Sequence, residues 1–152
     1  MEMIVTLPAF TMVGLGYHGQ NKNGEIGQMW GEFLARLDEV ERINPTISYG
    51  VCSVPAGLPE GHFEYVAGVQ VEPDAAVPAG MVKRSLPMLQ YAVFAHRGVL
   101  KDLRKTYQRI YEEELPKTGL ELYQPGLDME LYTSEWLGDT PDSVLYIYIP
   151  IK

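Results

Sequence analysis

The chain of 152 residues is 46% hydrophobic and 21% charged, which predicts a single domain over residues 1–152 that needs no disulfide or metal. Its net charge of −8 argues against a nucleic-acid partner, because clustered Lys and Arg hold a phosphate backbone and here acids outnumber bases 20 to 12. The single cysteine, Cys52, excludes a disulfide framework, and the sequence shows neither a signal peptide nor a membrane-spanning run. We therefore expect a cytoplasmic protein that associates with neither nucleic acid nor membrane.

The first half of the chain predicts a strand, a helix and two further strands. Apolar alternation over residues 4–17 indicates one strand, in which Gly14 and Gly16 mark a bulge or a close backbone approach. From Glu25 the apolar spacing changes to about 3.6 residues, which predicts a helix that ends near Asn44. Two strands follow, over residues 46–54 and 62–72.

The second half of the chain predicts the same order of elements. Residues 73–80 are rich in Pro, Ala and Gly and form the best candidate for an internal boundary. A strand over residues 90–96 is followed by a helix that begins near Val99 and is stopped by Pro116. Two strands close the chain, over residues 127–133 and 143–149.

The repeated order predicts an internal duplication with a period of roughly 80 residues. Repeat 1 covers about 1–72, the linker about 73–80 and repeat 2 about 81–152, and Tyr17-His18-Gly19 is echoed by His96-Arg97-Gly98. One repeat alone cannot bury its own sheet and helix well, whereas two copies around a pseudo-twofold axis can. We therefore expect an α+β fold with a mainly antiparallel sheet, two helices on one face, and a ligand cleft between the halves.

The aromatic residues are the most informative part of the composition. Ten Tyr accompany two Trp and four Phe, and an aromatic face suits planar or cationic organic ligands. For any single Tyr, a place in the core or on the sheet surface is the favoured interpretation. The tyrosines on predicted strands are Tyr49, Tyr65, Tyr91, Tyr132, Tyr146 and Tyr148.

Glu130 is the carboxylate with the strongest case for a functional role. It lies in the middle of a predicted strand, on the face that it shares with Tyr132, where it could neutralise a ligand cation. From spacing alone, a Glu that faces solvent on an exposed strand is the favoured alternative. Glu64, beside Tyr65, is a weaker version of the same hypothesis.

No pattern of metal ligands, cofactor binding or catalysis is present in the sequence. His18, His62 and His96 are too far apart in the chain to form a metal-ligand pair. Residues 14–19 match G-x-G-x-x-G, but no helix follows directly, so we interpret the match as chance. We expect no metal and no cofactor.

Several segments together resemble the GyrI-like, AraC-type family of effector-binding domains, which occurs in multidrug-sensing transcription activators. The resemblance covers essentially the whole chain and is greatest to the stand-alone branch, the integron-cassette effector-binding proteins. The segments that carry it are Leu7-Pro8-Ala9-Phe10 with Val13-Gly14-Leu15, Ile26-Gly27-Gln28-Met29-Trp30-Gly31-Glu32-Phe33, Phe63-Glu64-Tyr65-Val66-Ala67-Gly68, Tyr91-Ala92-Val93-Phe94-Ala95-His96-Arg97-Gly98, Glu130-Leu131-Tyr132 and Tyr148-Ile149-Pro150-Ile151.

The resemblance implies a cleft between the halves that binds cationic, lipophilic compounds against aromatic walls, with a carboxylate at its base. By position and motif, that carboxylate is Glu130, and the matching aromatic residues are Trp30, Tyr65, Tyr91 and Tyr148. This match makes a ligand role for Glu130 the favoured interpretation.

Transcription factors that carry this domain also have a helix-turn-helix domain, for which these 152 residues leave no room. We therefore expect a ligand-binding module rather than an enzyme, with no direct contact to DNA. It would act alone, as a homodimer or with a separate regulatory protein. One alternative is a small hydrolase of reactive electrophiles, in which the acid and an aromatic hydroxyl assist water. A further alternative is a protein-interaction or inhibitor module.

Overall fold

All eight strands of the described chain lie in one antiparallel sheet, in the order β1-β6-β8-β7-β3-β4-β2-β5. The structure, a computed structural model, describes residues 1–124 and 126–152. The strands are β1 (Met3–Leu7), β2 (Phe10–Gly19), β3 (Ser48–Ser53), β4 (Phe63–Val71), β5 (Val82–Leu86), β6 (Leu89–Arg97), β7 (Leu127–Tyr132) and β8 (Val144–Ile151). The predicted α+β class with a mainly antiparallel sheet is confirmed.

The six central strands show a duplicated fold with a pseudo-twofold axis between β3 and β7. Outward from this junction the order is β3-β4-β2 on one side and β7-β8-β6 on the other, so equivalent strands occupy matching places. The registers agree with this symmetry. Tyr49 pairs with Gly68 between β3 and β4, and an offset of about 80 residues carries this pair onto Met129 and Tyr148 of β7 and β8.

β1 and β5 cross over between the two halves. β1 runs into β2 after only two residues that include Pro8, yet it pairs with β6, while β5 runs into β6 through Pro87 and pairs with β2. The prediction of one strand over residues 4–17 was therefore wrong, and the strand at Val82–Leu86 was missed. Proline has no N–H to donate to a neighbouring strand, so each Pro marks the point at which the pairing partner changes.

The two-residue connections from β1 to β2 and from β5 to β6 join strands at opposite ends of the sheet. The sheet therefore curves so that its outer strands approach each other. Met12 of β2 and Tyr91 of β6 are separated by four strands, yet both belong to one buried cluster with Val51 and Met129. This concave face is therefore a closed core. Full burial of one large apolar side chain contributes about 1.5–3 kcal/mol there.

The helices pack on the opposite, convex face of the sheet. They are α1 (Glu25–Ala35), α2 (Leu103–Arg109) and α3 (Leu115–Thr118), with one π-helical turn over Ile110–Glu114 between α2 and α3. Phe33 of α1 is fully buried against Val13 and Val69, and the second helical unit covers β6 and β8 through Ile110. In the described ranges, no helix is long and apolar enough to cross a membrane.

Helix α1 begins where predicted but ends at Ala35 rather than near Asn44. The chain makes one 3-10 turn over Leu37–Glu39 and becomes extended at Val40. Leu37 and Val40 nevertheless pack in the same cluster as Phe33, so the apolar spacing continues past the end of the helix. Periodicity alone therefore predicts too long a helix.

The second helix continues past Pro116, where the sequence predicted its end. Pro116 lies in the first turn of α3, directly after the π-helical turn, and the helix ends at Thr118 before Gly119 in the left-handed conformation. Inside a continuous helix a proline lacks the N–H for the i→i−4 hydrogen bond, and its ring clashes with the carbonyl group four residues earlier unless the helix is locally altered. The π-helical turn thus lets the chain accommodate Pro116 within the helix.

β2 and β4 approach each other closely at Gly14, which pairs with Gly68. A Cβ atom on Gly14 would lie 1.9 Å from the carbonyl oxygen of Ala67, whereas one on Gly16 would lie 3.5 Å from the Val82 side chain. The close backbone approach predicted for this strand is therefore confirmed at Gly14.

We predict that Gly14→Ala lowers the free energy of unfolding by about 1–3 kcal/mol, because the two strands must separate to admit the methyl group. Gly16→Ala in the same strand is the matched control and should lie within about 0.5 kcal/mol of the original protein. Urea denaturation measures both values. Equal losses in the two variants would contradict the steric explanation.

An aromatic cleft around a partly buried carboxylate

A cleft of about 490 Å³ lies between α1 and α2, above the central strands β3 and β7. Strand side chains form its floor and helical side chains form its walls. The floor includes Cys52, Tyr65, Asp128, Glu130 and Tyr132, and the walls include Ile26, Gly27, Trp30, Leu100, Leu103 and Tyr107. The cleft lies between the halves of the duplicated fold, as the sequence predicted.

Glu130 accepts hydrogen bonds from three phenol groups at the floor of the cleft. Tyr65 Oη donates to Oε1 at 2.9 Å, Tyr107 Oη donates to Oε2 at 2.9 Å, and Tyr132 Oη donates to Oε1 at 3.4 Å. Trp30 Nε1 in turn donates to Tyr65 Oη at 3.0 Å. Both halves of the fold therefore hold this carboxylate, since Tyr65 comes from the first and Tyr107 from the second.

Gly50 makes this arrangement possible because it has no side chain. It lies on β3 between Tyr65 of β4 and Glu130 of β7, and its register partner on β7 is Glu130 itself. A Cβ atom on Gly50 would lie 1.8 Å from Tyr65 Oη. The ring of Tyr65 therefore crosses β3 over bare backbone and reaches the carboxylate.

The protonation of the cleft groups follows from their burial. Burial raises the pKa of Glu130, and the three phenol hydrogen bonds oppose this increase. The charge of Asp128 raises the pKa slightly further, so the pKa of Glu130 lies above that of a free glutamic acid. Burial, followed by the charge of Glu130, raises the pKa values of Tyr65 and Tyr107 well above that of a free phenol. These phenols therefore stay protonated and act as hydrogen-bond donors.

Asp128 supplies a second carboxylate on the same face, two residues before Glu130. Burial raises its pKa, and a hydrogen bond from Tyr111 Oη opposes the increase. Its register neighbour Cys52 has a thiol pKa raised to about 12, first by burial and then by the two carboxylates. Cys52 is therefore a neutral thiol at physiological pH rather than a nucleophile.

Two features of the described chain bear on cofactors and charge in the cleft. No three His, Cys, Asp or Glu side chains among the described residues are grouped so as to hold a metal ion. No Lys, Arg or His side chain lines this cleft in the part of the chain that the structure describes. Its two carboxylates therefore face an uncharged aromatic wall.

The structure brings together three of the five residues that the sequence singled out. Trp30, Tyr65 and Glu130 form one hydrogen-bonded chain in the cleft. Tyr91 and Tyr148 instead pack against each other in the core on the concave face, with ring centroids 5.7 Å apart. Successive residues of a strand point to opposite faces of the sheet. Tyr91 and Tyr148 point to the concave face, whereas the cleft lies on the convex face.

Tyr107 and Asp128 were missed as candidate site residues. Tyr107 lies at helical spacing from Leu103 and Ile110, which favours a place in the apolar stripe of the predicted helix. It also follows the His96-Arg97-Gly98 segment, as Trp30 follows Tyr17-His18-Gly19. Asp128 shares the face of Glu130 by the alternation of the strand. The repeat and the alternation were therefore the two signals that could have revealed them.

A duplicated α+β fold with a ligand-sized cleft between its halves is what the resemblance to the effector-binding domains implies. Residues 3–151 match the profile of the family described as integron-associated effector-binding protein, named Cass2. The chain belongs to this family, and the resemblance found in the sequence is confirmed.

Relatives and solved structures agree with this assignment. The transcriptional regulator BrlR of Pseudomonas aeruginosa (strain PAO1) is 40% identical over 150 residues, which cover 97% of this chain and 54% of BrlR. The chain thus spans about half the length of this relative.

Two solved structures show the fold. SAV2435 bound to tetraphenylphosphonium has a TM-score of 0.78 at 20% identity, with 100% of this chain and 94% of that chain covered. The integron cassette protein VCH_CASS2 from the mobile metagenome of Vibrio cholerae has a TM-score of 0.64 at 15% identity, with 99% and 95% covered.

We predict that Gly50→Ala displaces Tyr65 and lowers the free energy of unfolding by about 1–3 kcal/mol. In a Tyr65→Ala background the same substitution should cost less than about 0.5 kcal/mol, because the clash is already removed. Urea denaturation of the four proteins gives the coupling energy. Additive losses would show that Gly50 does not act by leaving room for the ring of Tyr65.

We predict a pH-dependent stability difference between the original protein and Glu130→Gln. The folded protein holds the proton of Glu130 up to a higher pH than the unfolded chain, whose carboxyl titrates near 4.5. Between these two pKa values the native state binds more protons, so the contribution of Glu130 to the free energy of unfolding falls as pH rises.

Urea denaturation from pH 4 to pH 8 measures this difference curve. It should decline above about pH 4.5 and level off above the folded pKa of Glu130. Glu64→Gln, on strand β4 but outside the cleft, is the control. A difference curve that rises with pH would contradict a raised pKa.

Proposed function

We propose that this chain binds small, lipophilic organic cations in the aromatic cleft, with Glu130 as the counter-charge. The observation that carries this proposal is a partly buried carboxylate that faces the cleft with three phenol donors and no basic side chain among the described lining residues. A buried charge without an opposite charge is unfavourable, and a ligand cation relieves that cost.

The hydrogen bonds of Glu130 favour one type of cation. A carboxylate has about four acceptor positions, and Tyr65, Tyr107 and Tyr132 occupy three of them. Little acceptor capacity remains for N–H donors of a ligand, whereas the negative charge still acts at a distance. The cleft therefore suits quaternary ammonium or phosphonium ions better than primary amines.

The aromatic walls support the same ligand class. Trp30 and Tyr132 lie edge-to-face with ring centroids 4.9 Å apart, and both line the cleft. Aromatic rings attract cations through their negative faces and bury apolar substituents at the same time. The relative SAV2435, whose structure contains tetraphenylphosphonium, is consistent with this chemistry on the same fold.

We infer that ligand binding serves regulation through another DNA-binding element rather than through direct contact of these residues with DNA. The net charge of −8 disfavours contact with a phosphate backbone. The relative BrlR is a transcriptional regulator of which this chain matches about half, with 54% covered. Ligand sequestration by the chain alone is the other role compatible with the same cleft.

We predict that Glu130→Gln weakens binding of methyltriphenylphosphonium at least about ten-fold, or ~1.4 kcal/mol, because the counter-charge is lost. Triphenylphosphine oxide, a neutral molecule of similar shape, should lose less than about two-fold. Isothermal titration calorimetry at pH 7.5 and low salt measures both affinities.

The matched control is Glu64→Gln, which removes the same charge from strand β4. Glu64 lies outside the cleft, so both ligands should bind this variant as they bind the original protein. Equal losses for the cation and the neutral molecule in Glu130→Gln would remove the charge role from the proposal. No binding of any cation by the original protein would overturn it.

A hydrolase is the second candidate function, because a carboxylate with a raised pKa in a confined cleft can act as a general base. Glu130 would accept a proton from water as the water oxygen bonds to a carbon of an epoxide and the C–O bond of the ring breaks, and the resulting alkoxide would then take that proton from Glu130. Incubation with an epoxide or an activated ester tests this possibility. Turnover that Glu130→Gln abolishes in a folded protein would favour it over simple binding.

A further inference from the structure

A second chamber adjoins the cleft on the side of α1 and has a volume of about 340 Å³. We name it the annex. Gly27, Trp30, Leu100 and Tyr132 line both chambers, so the annex and the cleft share a wall rather than lying on separate surfaces. We propose that the annex is a binding subsite for the apolar tail of a ligand whose cationic head lies at Glu130. This proposal rests on the proposed function.

The two chambers differ in charge. The cleft contains the carboxylates of Glu130 and Asp128, whereas no Asp, Glu, Lys, Arg or His lines the annex among the described residues. Leu34 and Trp136 line only the annex, and Leu34 is 54% exposed. A charged head and an apolar tail therefore each have a chamber of matching polarity, which defines amphipathic cations as the ligand class.

Three aromatic rings form the shared wall and its extension. Tyr132 lies 4.9 Å from the Trp30 ring and 5.0 Å from the Trp136 ring, measured between centroids, and both contacts are edge-to-face. A ligand that passes from the cleft into the annex would contact this row of rings along its length. Such a row suits an alkyl or aryl tail, because aromatic faces bury apolar surface without demanding hydrogen bonds.

Two glycines of α1 leave the annex open. Gly27 and Gly31 lie one helical turn apart, and a Cβ atom on either would meet no atom within 4 Å. Glycine is among the least favourable residues in a helix interior, and no neighbouring protein atom requires it at these two positions. The space above them is instead part of the annex, where a ligand tail would lie against the helix backbone.

The test compares methyl-, butyl- and octyltriphenylphosphonium by calorimetry on the original protein and on Gly31→Leu. Gly31 lines the annex but not the cleft, so a leucine there fills the tail subsite alone. In the original protein, affinity should rise by up to about four-fold for each methylene group buried in the annex. In Gly31→Leu, octyltriphenylphosphonium should bind at least about ten-fold more weakly, and methyltriphenylphosphonium should bind unchanged.

The same variant should melt about 2–4 °C higher, because leucine favours helix more than glycine does. A gain in stability together with a loss in affinity separates a ligand subsite from a structural role. Gln28→Leu is the matched control. It adds the same side chain at an exposed position of α1 outside both chambers, and all three ligands should bind it normally.

The outcomes separate this inference from the proposed function. If methyltriphenylphosphonium binds in a Glu130-dependent way but affinity does not rise with chain length, the annex is not a subsite and the proposed function stands. If Gly31→Leu weakens all three ligands equally, the annex does not act separately from the cleft. If the original protein binds none of the cations, the proposed function and this inference both fail.

Discussion

A partly buried carboxylate without a basic partner among the described residues is the constraint on which this site depends. Within the described ranges, Glu130 accepts its hydrogen bonds from phenols, and these come from strands and a helix of different halves. Each phenol must reach the same two oxygen atoms, so the positions of β4, β7 and α2 are coupled through one side chain. Burial and hydrogen bonding oppose each other at Glu130, and burial has the larger effect on its pKa.

The duplication accounts for both the position of Glu130 and the free space beside it. Gly50 and Glu130 pair with each other where β3 and β7 meet, and the offset of about 80 residues makes them equivalent positions of the two repeats. The second repeat has the charged Glu130 at this position, whereas the first repeat has Gly50, which has no side chain. The ring of Tyr65 occupies the space above Gly50, so the asymmetry between equivalent positions is what creates the site.

Sequence patterns predicted the fold class and the central elements because both depend on local periodicity. The face shared by Glu130 and Tyr132 follows from alternation within one strand and was predicted correctly. The relation of Tyr91 and Tyr148 to that face depends on the register between strands, which no local pattern contains. The exchange of β1 and β5 had a signal that was missed, since Leu7-Pro8 recurs as Leu86-Pro87 at nearly the offset that separates the two repeats.

The same balance at Glu130 bears on which ligands the cleft distinguishes. Because three phenols already occupy most of its acceptor positions, the carboxylate contributes charge rather than a directional hydrogen bond. Charge without direction tolerates many orientations of a cation, and the aromatic rings of Trp30 and Tyr132 are equally tolerant. Under the proposed function, selection among cations would come from volume and shape, which the two chambers and the bare helix backbone at Gly27 and Gly31 determine.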